Sequence, residues 1–92
     1  MNSTPPSSHT LLTFPSEYTF KIIGKASLEF ETEVVRILRD FFPKMSEGAV
    51  KTKTSKESHY VSLTVTVMVD SQAQLDEVYQ TLSTNPNVLF ML

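Results

Sequence analysis

The chain has 92 residues, with 8 Lys+Arg against 10 Asp+Glu for a formal net charge of −2, and 40% of its residues are hydrophobic. That is the composition of one small globular domain, without the cationic excess of a dedicated nucleic-acid binder. It contains no cysteine, which excludes disulfides, thiolate zinc sites, iron–sulfur clusters and cysteine nucleophiles, and its longest apolar run, 88–92, is far shorter than the ~18 residues of a membrane helix.

Residues 1–16 carry no charged side chain and three of the five prolines, Pro5, Pro6 and Pro15. They have neither the basic start nor the apolar stretch of a secretory signal. The expected organisation is a flexible arm over 1–13 and a single domain over 14–92. Residues 18–23 alternate, with Tyr18, Phe20 and Ile22 on one face and Thr19, Lys21 and Ile23 on the other, which predicts a strand. Gly24 is expected to end it. Over 28–42, Phe30, Val34, Ile37, Leu38 and Phe41 form one stripe of a 3.6-residue period, predicting a helix capped by Ser27 and stopped by Pro43.

Residues 49–55 alternate Val50, Thr52 and Thr54 against Lys51 and Lys53, the pattern of an edge strand protected by lysines. Residues 60–69 have a strict period of two. Val61, Leu63, Val65, Val67 and Val69 line one face, and Tyr60, Ser62, Thr64, Thr66 and Met68 the other. Ser71 and Gln74 read as a capping box opening a second helix, whose buried stripe is Leu75, Val78, Tyr79 and Leu82. Asn85, Pro86 and Asn87 make a turn, and 88–92 is a terminal strand.

The order β-α-β-β-α-β predicts an α+β fold, a two-layer ferredoxin-like sandwich with both helices on one face of a four-stranded antiparallel sheet. The first and third strands are expected at its centre. The expected core is Phe20, Ile22, Val34, Ile37, Leu38, Phe41, Leu63, Val65, Val67, Leu75, Val78 and Leu82.

The pattern offers little to catalysis. The only histidines are His9 and His59, the second in a polar loop, so no nucleophile–base pair and no zinc spacing is present. Glu29 and Glu33 share a helix face, as do Arg36 and its acidic neighbours Glu33 and Asp40, which reads as a solvated charged surface. Acylphosphatases share this element order, but the corresponding phosphate loop, Gly24-Lys25-Ala26-Ser27, lacks their arginine. RNA recognition through the open sheet face requires stacking aromatics, and only Tyr60 is expected there. The start of the first helix, with Gly24, Lys25 and Ser27, is the candidate ligand loop, where free N–H groups would hold a carboxylate or phosphate.

Particular residues also resemble a known family. Phe14-Pro15-x-x-Tyr18-x-Phe20-Lys21-Ile22-Ile23-Gly24 looks like the opening of the YbeD-like family of small bacterial proteins. So do Asp70-Ser71-x-x-Gln74-Leu75-Asp76-x-Val78-Tyr79-x-x-Leu82 and Val88-Leu89-x-Met91-Leu92. The approach to the third strand, Ser55-Lys56 leading to Tyr60-Val61-Ser62-Leu63-Thr64, is similar too. There the family usually carries a glycine and this chain has Glu57, Ser58 and His59. The resemblance implies a ferredoxin-like fold close to the ACT domains that bind small ligands and regulate enzymes. It also implies a link to lipoate regulation that rests on genomic neighbourhood. It supplies no catalytic or binding residues.

The resulting expectation is a cytoplasmic, non-catalytic regulatory or small-ligand-binding domain without cofactor or metal. The alternative is an interaction adaptor using the open sheet face. The expected partners are a protein or a small carboxylate and not a membrane, with weak RNA binding ranked a distant third. A partner surface, or a weak homodimer contact, is expected where Ile23, Met68, Leu89 and Met91 stand away from the helices, because a contiguous apolar patch marks a binding surface.

Overall fold

A computed structural model describes residues 13–92, so the arm expected at 1–13 lies, but for Thr13, outside the described residues. The order of elements is β1 (Ser16–Lys25), α1 (Leu28–Phe41), a 3-10 turn (Glu47–Ala49), β2 (Val50–Thr54), β3 (Tyr60–Val69), α2 (Gln72–Ser83) and β4 (Val88–Met91). The strands form one sheet in the order β2-β3-β1-β4, and every neighbouring pair is antiparallel. This is the ferredoxin-like sandwich that the periodicity predicts, with β1 and β3 central.

The β1–β3 ladder runs unbroken from Ser16↔Val69 to Lys25↔Tyr60. Because directly paired residues share a face, this register puts Phe20 and Ile22 with Val65 and Leu63 under the helices. Phe20, Ile22, Phe30, Leu38, Leu63 and Leu82 are fully buried, each stabilising the fold by about 1.5–3 kcal/mol relative to exposure. Phe41 is an exception to the expected core. It is only partly buried, whereas Phe42 and Met45 are buried instead. The reason is that α1 ends at Phe41. Phe42 leaves helical geometry at φ −129, ψ 74 while its N–H still reaches the Leu38 carbonyl, so its ring is no longer held on the helical stripe.

Both helices begin on serine. Ser27 Oγ accepts from the Phe30 N–H at 3.1 Å and Ser71 Oγ from the Gln74 N–H at 3.1 Å. The Gln74 side chain closes the second cap one residue earlier than the usual box, accepting from the Asp70 N–H at 2.8 Å.

Two features differ from expectation. Gly24 does not end β1 but lies buried within it. A Cβ at this position would collide with the Phe30 ring and approach the Asn87 carbonyl oxygen to 2.7 Å. A strand glycine here admits a close neighbour and does not make a turn. The second difference is a register shift in the β1–β4 pair. Ile22 faces Met91 and Ile23 faces Phe90, but Gly24 faces Val88, leaving Leu89 as the extra residue of a bulge. The bulge reverses the parity expected for the last strand. Phe90 stands on the outer face with Ile23, while Met91 packs against the core.

Candidate functional site

The face of the sheet away from the helices carries the most distinctive chemistry. Register aligns Lys21 with Thr64 and Lys51 in one row across the strands, and Ile23 with Ser62 and Lys53 in the next. Phe90 extends that second row onto β4. Lys25 pairs with Tyr60 in a third row, and the Leu92 N–H donates to the Lys21 carbonyl at 2.9 Å beside the first. Ile23, Tyr60, Phe90 and Leu92 thereby contribute to a shallow concavity edged by Lys21, Lys53 and Lys56. Tyr60 is 49% and Phe90 52% exposed.

Charge is divided between the two layers. The helices carry six carboxylates and two arginines. The strands carry four lysines and one carboxylate, Glu17, which pairs with Met68 at the far end of β3. On α1, Arg36 bridges Glu33 at 2.7 Å and Asp40 at 3.3 Å, and its hydrogen bond holds the Glu33 carboxyl below the ordinary range. Among the described residues, Lys21, Lys25, Lys51, Lys53 and Lys56 have no such carboxylate partner. The lysine surface is therefore electrostatically uncompensated.

The four residues expected to form a partner surface do not lie together. Ile23 lies in the concavity and Leu89 is exposed at the bulge beside it. Met91 is on the opposite face, against the core. Met68 is six residues along β3 from Ser62, the partner of Ile23, a separation of about 20 Å. Met68 instead borders a second concavity, of about 500 Å³, with Phe41, Phe42, Met45, Thr66 and Asp70. Phe90, Leu92 and Lys56 complete the first surface. Their contribution depends on the bulge and on cross-strand register, which no local spacing reveals.

The Gly24, Lys25 and Ser27 region is not an open loop. Gly24 is buried against Phe30, Lys25 belongs to β1, and the Ser27 hydroxyl is already committed to the helix cap. Glu29 and Glu31 occupy the first turn of α1, where they oppose a bound anion. The adjoining shallow cleft is lined by Lys25, Ala26, Ser58, His59 and Tyr60. Ser58 there adopts φ 60, the left-handed region that favours glycine, in the connection where the resembled family usually has one. His59 is well exposed, 3.8 Å from the Glu57 carboxylate. Among the described residues no group of three His, Asp or Glu side chains is placed to hold a metal ion, and no helix is long and apolar enough to cross a membrane.

Comparison with known proteins agrees with this architecture. In solved structures, the chain is similar to the solution structure of HP0495 from H. pylori, with TM-score 0.72 and 19% identity over 99% of this chain and 98% of that one. It is also similar to the C-terminal domain of MgtC from Mycobacterium tuberculosis, with TM-score 0.65 and 18% identity over 83% and 82% of the two chains. At these identities the likeness concerns the fold alone. Among sequences, a UPF0250 protein of Paraburkholderia phytofirmans is 35% identical over 92% of this chain and 96% of its own. A UPF0250 protein of Bordetella parapertussis is 33% identical over 100% of both. The family model described as "Protein of unknown function (DUF493)" matches residues 9–92, and the chain belongs to that family of small bacterial proteins.

Proposed function

We propose that this protein is a non-catalytic binding module that engages a protein partner through the open face of its sheet. One observation carries the reading: exposed Tyr60, Phe90 and Leu92 stand among lysines that have no carboxylate partner among the described residues, on a face those residues leave uncovered. An open antiparallel face needs only polar side chains. Aromatic residues are enriched at protein interfaces, and burying such a side chain is worth about 1.5–3 kcal/mol.

The test is photo-crosslinking in the native cell, with p-benzoylphenylalanine placed at Phe90 or, as a helix-face control, at Thr32. Discrete adducts from position 90 and none from position 32 are expected. Adducts from position 32 alone, or the same adducts from both, would defeat the proposal.

A second reading, regulation by a small ligand, draws on the concavity of about 500 Å³ beside Met68, where Lys44 is the one lining cation. Its size suits a small molecule. Amino acids, lipoate and other small carboxylates, each at 100 times its dissociation constant, would stabilise the fold by about 2.7 kcal/mol. A flat melting temperature across that series removes the reading.

A further inference from the structure

Resting on the reading of the sheet face as the binding surface, we infer that its partner is an acidic polypeptide segment with apolar side chains between its carboxylates. Lysine on edge strand β2 has a structural use, since it discourages pairing with other chains. Lys21 has no such use, because β1 is central. It shares a row with Lys51, separated by Thr64, so the two anchor points are about 10 Å apart, and Lys51 and Lys53 are about 7 Å apart along β2. The shorter spacing lies within the Debye length of about 8 Å at physiological salt and the longer only slightly exceeds it. Three ammonium groups therefore repel one another on a face whose one strand carboxylate, Glu17, stands four residues along β1 from Lys21, and an acidic partner reverses that repulsion.

The apolar floor narrows the chemistry further. Ile23, Tyr60, Phe90 and Leu92 line the same concavity as Lys21, Lys53 and Lys56, so carboxylates alone do not fill it. An extended segment repeats its side chains every second residue, about 7 Å, which matches the spacing between rows. Carboxylates on such a segment reach the lysines while neighbouring apolar groups cover the floor. A single-stranded nucleic acid fits less well. The two aromatics lie on strands either side of β1, no arginine lines the concavity, and the acidic helices repel a long polyanion. Opposite charge at the surface also steers the encounter, making association sensitive to salt.

The experiment is selection of randomised dodecapeptides displayed on phage against the native protein and against the double variant Lys21→Glu/Lys53→Glu. Both substitutions are on the exposed face, and circular dichroism verifies the fold before selection. The native protein is expected to enrich peptides with alternating acidic and apolar residues. Their Kd, measured by fluorescence anisotropy, should rise at least tenfold in the variant and at least tenfold between 50 and 500 mM NaCl. The variant itself should enrich basic peptides.

Enrichment of neutral peptides that lose affinity on Phe90→Ser would leave the sheet face as the binding surface and overturn its acidic specificity. Tighter binding of a twelve-nucleotide oligothymidylate than of any selected peptide overturns it in favour of nucleic acid. Absence of any enrichment also overturns it. Crosslinking at position 90 then decides separately whether the face binds protein at all.

Discussion

Replacing Gly24 by alanine probes the packing of β1 against α1 and the turn before β4. The added methyl group meets two carbons of the Phe30 ring and the Asn87 carbonyl oxygen at 2.7 Å. Neither obstacle yields readily: Phe30 is fully buried in the first turn of α1, and Asn87 is held by its N–H donating to Asn85 Oδ1 at 2.9 Å. Inserting a methylene into a packed core typically costs about 1–3 kcal/mol. The lost chain entropy of glycine in the unfolded state returns about 0.4–1 kcal/mol where alanine fits without strain, and here it does not fit. A destabilisation of about 2–3 kcal/mol is expected. Set against a total near 5–14 kcal/mol for a chain of this size, the variant still folds, with a melting temperature lower by roughly 10–20 °C.

Urea denaturation should show a lower midpoint at an unchanged slope, the signature of altered stability without altered compactness. Phe30→Leu removes ring atoms from the collision, so Gly24→Ala/Phe30→Leu should lose at least ~1 kcal/mol less than the two single variants together. A cost below about 0.5 kcal/mol for Gly24→Ala, or strict additivity in the pair, would refute the packing argument.

Three other outcomes follow from local geometry. Ser58→Gly should raise the melting temperature by about 2–4 °C, because leaving φ 60 relieves roughly 1–2 kcal/mol while glycine adds only about 0.5–1 of chain entropy; a lower melting temperature counts against it. Met91→Lys should destabilise by about 1–2 kcal/mol, since Met91 packs on the core, whereas Phe90→Lys should fall within about 0.5 kcal/mol. Equal effects in denaturant would mean that the bulge is misplaced. The third concerns alkaline pH. Burial, together with the Tyr18 hydroxyl 2.8 Å away, raises the Tyr79 phenol far above its ordinary value. Its neutral form is thus favoured in the folded state. The associated stability is complete below the unfolded value near pH ~10 and is lost as pH rises above it. Tyr79→Phe should cost about 1 kcal/mol at neutral pH and flatten the decline between pH 9 and 11. An unchanged pH slope would exclude Tyr79 as its source.

The parts of the fold that were legible in the sequence are those with a strong local period or a local hydrogen bond. The alternation of β3 defines its two faces without reference to any other element, and Ser27 and Ser71 cap helices through contacts only three residues away. β4 lies at the other extreme. Residues 88–92 are all apolar, so they contain no polar–apolar alternation to reveal a bulge, and the facing of Leu89, Phe90 and Met91 is decided by Ile22, Ile23 and Gly24 on a distant strand. Gly24 illustrates a similar limit. A glycine after an apolar run reads as a stop, while its use here depends on the Phe30 ring arriving from α1. The lysine surface was divided in the same way. Its members at 21, 25, 51, 53 and 56 become neighbours only once β1, β2 and β3 are in register, so the charge balance of the whole chain conceals it.

The position of β1 has a consequence for how the chain is made. Among the described residues its strand partners are β3 and β4, both encoded downstream, and its pairing with β3 begins with Lys25↔Tyr60 and closes at Ser16↔Val69. During synthesis β1 emerges with Phe20 and Ile22 uncovered and waits for residues that leave the ribosome much later. At ~5–20 residues per second that interval lasts several seconds, and hairpin formation between β2 and β3 takes only microseconds. Residues 55–59 alone separate β2 from β3, against 26–59 between β1 and β3, so the β2–β3 hairpin is expected to assemble first and to offer the open edge of β3 to the waiting strand. An early strand with a ten-residue unpaired ladder is a ready template for another nascent chain. Translation speed through residues 26–69 thus sets how long this chain is exposed to misassembly.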